Sequence, residues 1–424
     1  MHEGKGKNGE LLYPAFPYQW FTRVSREEVD AIHAYLKTVQ PSETPSKPSR
    51  FRFPFNIREG LAPWYHLYFH PGAFEPDTSK SEQWNRGAYL VEGLGHCGDC
   101  HTPKGFAMQP VTAKAFSGGA IADWYAPNIT SDVKRGIGRW SEDQLVQILK
   151  KGEAPGRGVV VGPMAQVVHD SLSHLNDGDL HAIAAYLKTI PPITDYQAER
   201  PSGEIGPHAS GANVYLDNCA SCHQVNGEGI KGAVPALAGN ELVRAKGPED
   251  VIRVILGGRQ ATGTYAPMPA MGENLTDQQI ADVTDYIRNA WSNAAPVLKE
   301  TGLVGDIRAQ TVSTISGAGA IEEENDPCKT SEFAPPVPSI DDPKINAELT
   351  SMKAETMVAT IPKLIARVRQ ISPRVSQADL VNGLTLAYCK IEAHKRSFRE
   401  PHGRNLLNEF SVLVYSELAS NGHE

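Results

Sequence analysis

No apolar run in the 424-residue sequence approaches the roughly 20 residues that a membrane-crossing helix needs. Positive charge is not in excess either: 41 Lys and Arg stand against 49 Asp and Glu, a formal net charge of −8. A nucleic-acid binder needs a basic patch to meet phosphates, so the balance argues against that class. Cysteine is scarce. Six in this length are too few for a disulfide-stapled scaffold. The start, Met1-His2-Glu3-Gly4-Lys5-Gly6, has neither the basic-then-apolar pattern nor the small-residue cleavage site of a secretion signal. Glycine and proline are plentiful, at 38 and 31, which predicts a loop-rich fold.

One segment recurs three times. Ala31-Ile32-His33-Ala34-Tyr35-Leu36-Lys37-Thr38 matches Ala182-Ile183-Ala184-Ala185-Tyr186-Leu187-Lys188-Thr189, and Thr276–Arg288 is a looser copy. Each copy opens on a capping-type residue with acids in the first turn, then spaces apolar residues as an amphipathic helix does. Each therefore reads as the closing helix of a repeated domain. Before the last two copies, Trp140–Gly152 resembles Gly247–Gly257, two short helices expected to end on Gly. A Met follows each in a Gly/Pro-rich loop: Met164 lies 12 residues after Gly152, and Met268 lies 11 after Gly257. The repeat runs helix, Cys motif, loops, helix, Gly, Met, closing helix. The first copy shows only its closing end, and its front half is expected upstream of Met1.

Four of the six cysteines fall into two motifs, Cys97-Gly98-Asp99-Cys100-His101 and Cys219-Ala220-Ser221-Cys222-His223. C-x-x-C-H is the attachment pattern of c-type haem. Cys97, Cys100, Cys219 and Cys222 would form thioethers to the haem vinyl groups, and His101 and His223 would ligate the irons from the proximal side. A thioredoxin-like pair would need a βαβ context, and the wide gap between the pairs does not suit a zinc ribbon. Met164 is favoured over Met108 as sixth ligand of the first haem, because Met108 follows His101 too closely to cross the ring. For the second haem the repeat favours Met268 over Met271. A core packing role is the alternative for each Met. A thioether opposite His closes the sixth position, which suits electron transfer rather than oxygen or peroxide chemistry.

From about residue 10 to 297 the sequence resembles the multihaem cytochrome c subunit of the membrane-associated bacterial alcohol, gluconate and aldehyde dehydrogenases. The resemblance lies in Leu12–Tyr18, Phe53–Arg58, Trp84–Cys97, Trp124–Thr130, Gly136–Trp140 and Ala236–Asn240. It implies an all-α chain of tandem class I cytochrome c domains. It also implies three haems relaying electrons from a separate catalytic subunit, with flavin, pyrroloquinoline quinone or molybdenum, to ubiquinone or a periplasmic cytochrome or oxidase. The chain departs from this pattern in having two haem c motifs, no Met near the first closing helix (Phe16 stands there) and no secretion signal. A truncated start, with a third haem in a full-length form, is favoured over a vestigial domain. The expected location is the periplasm, with peripheral association at the inner membrane.

The expected organisation is a partial cytochrome domain (1–45), a linker (46–82), haem c domains at 83–195 and 208–297, and a small helical domain at 344–420. An acidic, Pro-rich linker (321–338) precedes that last module. Its helices are read from stripes at Ile361, Leu364, Ile365 and Val368, at Leu380, Leu384 and Tyr388, and at Leu406, Phe410, Leu413 and Val414. Cys328 and Cys389 are expected to bridge in an oxidising compartment. No nucleophile or carboxylate–histidine constellation accompanies the haem motifs, which makes an electron-transfer subunit the leading reading. A dihaem enzyme such as a peroxidase, which needs an open sixth position, and a haem-based sensor are the alternatives.

Overall fold

The computed structural model describes residues 2–41, 53, 56–121, 124–194, 209–298, 302–315, 328, 340–393 and 401–420. Of the expected linker at 321–338 only Cys328 is among them; the stretch 196–207 between the two expected haem domains lies outside them, as do His394 and the side chain of His402, which the sequence offers as surface residues rather than ligands. The described chain is mainly helical, with only short two-stranded pairings. It falls into two compact units, 1–121 with 126–142 and 176–195, and 122–125 with 143–175 and 196–424. Residues 143–175 of the expected first haem domain thus group with the second unit.

In the first unit an entry helix, Glu82–Glu92, crosses a closing helix, Asp177–Leu187. Ser81 caps the first by accepting from the Trp84 N–H, and Asn176 caps the second by accepting from Asp179 N–H. The closing helix buries Leu180, Ala182, Ile183, Ala184, Tyr186 and Leu187. The axes approach closely because position 87 has no side chain: a Cβ there would overlap the Ala182 carbonyl oxygen. Around the crossing, Arg86 grips Asp179 through two hydrogen bonds of 2.7 and 3.1 Å, and the Trp84 ring packs on Tyr186 with centroids 5.1 Å apart.

The second unit repeats this crossing. The entry helix Ala209–Asn218 meets the closing helix Asp277–Asn289, which Thr276 and Gln279 start with a capping box. Here Gly211 takes the role of Gly87, since a Cβ would overlap the Asp282 carbonyl. Tyr215, Tyr286 and Trp291 form the aromatic cluster beside it. The core of this domain continues past residue 297 into a helix, Gly302–Ile315, whose Val304 and Ile307 are buried in it.

The N-terminal copy of the closing helix, Arg26–Leu36, is formed and capped by Ser25, but buries no residue. Tyr35 and Leu36 are 69% and 58% exposed, whereas their repeat equivalents Tyr186 and Leu187 are 8% and 5% exposed. Among the described residues no helix covers its apolar face; Glu82–Glu92 reaches it only at its start, where Tyr89 donates to Glu28 and Arg86 pairs with the same carboxylate. An open groove of about 410 Å³ runs along it instead, lined by Val29, Ile32 and Leu36 with Arg26, Asp30 and His33.

The C-terminal module consists of the helices Pro343–Ser351, Met357–Ile371, Gln377–Glu392 and Pro401–Ser420. The three apolar stripes supply its core, with Ile361, Leu364, Leu380, Leu384, Phe410 and Val414 all buried. Cys328 and Cys389 are joined by a disulfide that closes a sequence separation of 61 residues. Loop-closure entropy for that span gives about 4 kcal/mol of stabilisation. Reduction, or the paired Ser variants, should lower the urea midpoint of the module accordingly. An unchanged midpoint would show that the bridge constrains nothing in the unfolded chain.

Candidate functional site

Both C-x-x-C-H motifs form a single helical turn at the foot of an entry helix, Cys97–His101 in one copy and Ala220–His223 in the other. In the first, Gly98 lies under the Trp20 indole, which a Cβ at that position would strike. The second copy carries Ala220 at the same place. After each motif the chain folds back so that a glycine N–H caps the histidine carbonyl: Gly118 to His101 at 2.9 Å, Gly229 to His223 at 3.0 Å.

The imidazoles are buried and held alike. His101 Nδ1 lies 2.7 Å from the Pro127 carbonyl oxygen, and His223 Nδ1 lies 3.1 Å from that of Pro235. A carbonyl only accepts, so Nδ1 carries the proton and donates, and Nε2 keeps its lone pair for a metal. Burial lowers the pKa of both rings, and in His223 the charge of Arg259 adds to this, which favours the neutral, ligating form. The two prolines are themselves pinned. Asn128, next to Pro127, accepts from Thr130 N–H and Oγ1 and donates to the Ile193 carbonyl at 2.7 Å. Asn293, just past the second closing helix, bonds Gly239 N–H and the Leu237 carbonyl on the Pro235 segment. Neither proline–histidine pair was foreseen from the sequence.

The cysteine environment fits a covalently attached porphyrin better than its rivals. The four motif thiols are not joined to one another. Burial pushes Cys97 up to about 12, and Cys100 and Cys219 up to about 11. Redox dithiols and zinc sites need thiolates at neutral pH, which these surroundings oppose. Among the described residues no group of three His, Cys, Asp or Glu side chains could hold a metal ion. Beside the second site Arg259 is half-buried, with its enclosed Nη1 lacking a hydrogen-bond partner in the protein, while Nη2 donates to the Ala266 carbonyl at 2.9 Å. Burial brings its pKa down to about 10. A carboxylate, such as a haem propionate, is the complement this guanidinium needs. A separate cavity of about 580 Å³ in the first unit, lined by Trp84, Phe116, Tyr186 and Ile190 among others, contains none of the motif residues.

The methionines divide clearly. Met108 occupies a left-handed turn (φ 61°) and is 60% exposed. Met164 is not in a loop as expected. A helix, Gly162–Asp170, starts there with Pro163 as its second residue, and Met164 lies in its first turn, in the second unit. Met268 is half-buried and paired with Arg259 by two backbone hydrogen bonds of 2.8 and 2.9 Å. The close passage of this strand over the end of the Glu249–Gly257 helix requires Gly258, whose φ is +70° and whose Cβ would press on the Met268 carbonyl. The helix itself ends on Gly257, as expected, and the positive φ falls on the next residue, Gly258. Met271 packs onto the helical core of the domain.

Comparison with known proteins agrees with this geometry. The cytochrome c family model matches residues 208–291. The chain is 38% identical over 343 residues to the cytochrome c subunit of the quinone alcohol dehydrogenase of Gluconacetobacter polyoxogenes, covering 76% of this chain and 71% of that protein. It is 36% identical to the fructose dehydrogenase cytochrome subunit of Gluconobacter japonicus over 69% of this chain and 67% of that one. Against the gluconate 2-dehydrogenase cytochrome c subunit of Pantoea cypripedii the identity is 35%, over 76% of this chain and 78% of the relative. The chain belongs to this family of dehydrogenase cytochrome c subunits, haem-bearing proteins of electron transport.

Proposed function

We propose that the chain carries two c-type haems in tandem class I cytochrome domains, within 83–195 and 208–297, and passes electrons between them. Cys97 and Cys100 hold the first haem with His101 as proximal ligand, and Cys219 and Cys222 hold the second with His223. The observation that carries this reading is the duplicated imidazole, buried and fixed by a proline carbonyl at Nδ1, which leaves the Nε2 lone pair available to iron. When bound, haem supplies a one-electron iron couple, and the protein holds its ligands in place and excludes water. Met268 is the sixth ligand of the second haem, supported by the engagement of Met271 in the core. Met164 is proposed for the first haem from the repeat spacing alone. Residues 1–45 are the closing part of a further cytochrome domain, supported by the bare face of the Arg26–Leu36 helix.

The donor is a dehydrogenase catalytic subunit of flavin, pyrroloquinoline quinone or molybdenum type, oxidising a hydroxyl or aldehyde substrate. The acceptor is ubiquinone or a periplasmic cytochrome or oxidase. A periplasmic location suits both covalent haem and the Cys328–Cys389 bridge. No helix among the described residues is long and apolar enough to cross a membrane. Intact mass and haem quantitation on protein matured in a periplasm should give two covalent haems per chain, and the reduced protein should pass electrons to a quinone or cytochrome acceptor. A single haem, or a reduced protein that binds carbon monoxide at both irons, would sink the reading.

A further inference from the structure

The second site contains a contact that electron transfer by itself does not explain. The 259–268 segment is a short hairpin, bridged at Arg259–Met268 and again at Thr262–Tyr265. Its turn is exposed at Gly263 and Thr264. Two bridges make a marginal hairpin in water, so a ligand carried at its base would not be held firmly by the hairpin alone.

The outward-facing peptide groups of this hairpin are met by the C-terminal module. Between the two bridged pairs, Ala261 directs its backbone groups away from the partner strand. Asn382, on the Gln377–Glu392 helix, satisfies both: its Oδ1 accepts from Ala261 N–H at 3.1 Å and its Nδ2 donates to the Ala261 carbonyl at 2.9 Å. The side-chain amide thus does what a neighbouring strand would do. On the Pro401–Ser420 helix, the Tyr415 hydroxyl donates to the Thr264 carbonyl at 2.8 Å. The Ala261 side chain is 5% exposed and belongs to the module's own core, against which Ala233 and Ala266 also pack. Ala266 N–H in turn donates to the Ala233 carbonyl at 2.8 Å. Ala233 stands two residues before Pro235, the acceptor for His223. One helical module therefore abuts the loop that orients the proximal histidine and the hairpin that carries Met268.

We propose that the C-terminal module is a clasp on the axial loops of the second haem, with Asn382 and Tyr415 as positioning residues that keep Met268 on the iron. The proposal rests on Met268 being that ligand. The clasp stabilises the Met-on geometry over a Met-off geometry, and so keeps the sixth position closed and the potential of this haem high. Loss of the paired amide contacts should cut the Met-on to Met-off ratio about tenfold, the equivalent of about 1.4 kcal/mol.

The test uses the full-length holoprotein and reads each haem separately, through the strongly shifted methyl resonance of its ligating methionine in the reduced state and through a potentiometric titration. Asn382→Leu should raise the Met-off population of the second haem about tenfold and lower its potential, with the first haem unchanged. Asn382→Asp, which keeps the acceptor and loses the donor, should resemble it. Tyr415→Phe keeps the ring and should give a smaller shift in the same direction, so it serves if Asn382→Leu fails to fold. Met268→Ala should abolish the resonance of the second haem. If it does so while Asn382→Leu and Tyr415→Phe leave resonance and potential unchanged, the clasp is overturned and the ligand stands. If Met268→Ala leaves both methionine signals in place, the ligand assignment fails and the clasp with it.

Discussion

Replacing Cys219 and Cys222 together with alanine is expected to remove one haem from each chain and to unfold the second cytochrome domain. A domain of roughly 90 residues buries a modest share of its surface, and its helical core is supplied mainly by two crossing helices and Glu249–Gly257. At the Cys motif and in the loop after it, Cys219, Ala220 and Leu237 are only partly buried against that core. Arg259 adds a cost of its own, since its enclosed Nη1 has no hydrogen-bond partner in the protein. The haem supplies both the apolar surface and the counter-charge, so its loss removes an amount comparable to a whole domain's stability of about 5–15 kcal/mol. Intact mass should show one haem fewer, and proteolysis should open the chain between 209 and 298. The Cys97→Ala, Cys100→Ala pair should lose the other haem and leave this region resistant. Two haems on the 219/222 variant, or an unchanged melt, would contradict the assignment.

The parts of this site that a sequence shows are those written into neighbouring residues. C-x-x-C-H is one helical turn, the closing helices begin on Ser25, Asn176 and Thr276 as capping chemistry demands, and the buried stripes of the C-terminal module have helical spacing. What escaped it is written between residues far apart. Pro127 and Pro235 follow their histidines by 26 and 12 residues, so the shared hydrogen bond has no fixed spacing to detect. The crossing glycines are also out of step. Gly87 precedes Cys97 by ten residues and Gly211 precedes Cys219 by eight, because the first copy inserts a turn at Gly93–His96. Within a helix each looks like a weak former rather than a contact. Met164 falls in a helix rather than a loop because Pro163 stands in the first turn, where its missing N–H costs nothing and its fixed φ suits the helix. The Asn382–Ala261 pair joins modules 121 residues apart and leaves no local trace.

Gly87→Val and Gly211→Val should each destabilise its domain by about 3 kcal/mol or more, at the upper end for an overpacked core. The obstacle in each case is backbone. A Cβ at 87 meets the carbonyl of Ala182, and one at 211 meets the carbonyl of Asp282, with the Cβ atoms of Tyr186 and Tyr286 next in line at 2.9 and 2.8 Å. A carbonyl inside a helix cannot turn away without breaking its own hydrogen bond, so the axes must separate. Separation would strip Leu180 and Ile183 in one copy, and Ile280 and Val283 in the other, of the helix that covers them. It would also move the foot of the entry helix, where the cysteines and the proximal histidine stand, relative to the proline carbonyl that holds the imidazole. Valine should therefore lower the denaturant midpoint and the yield of attached haem in the same domain, leaving the other haem in place. Gly302→Ala is the matched control: its Cβ would meet nothing within 4 Å at an exposed helix start, and the change should be neutral or stabilising by up to about 1 kcal/mol. Valine variants that melt like the parent would mean that the helices do not cross at these glycines.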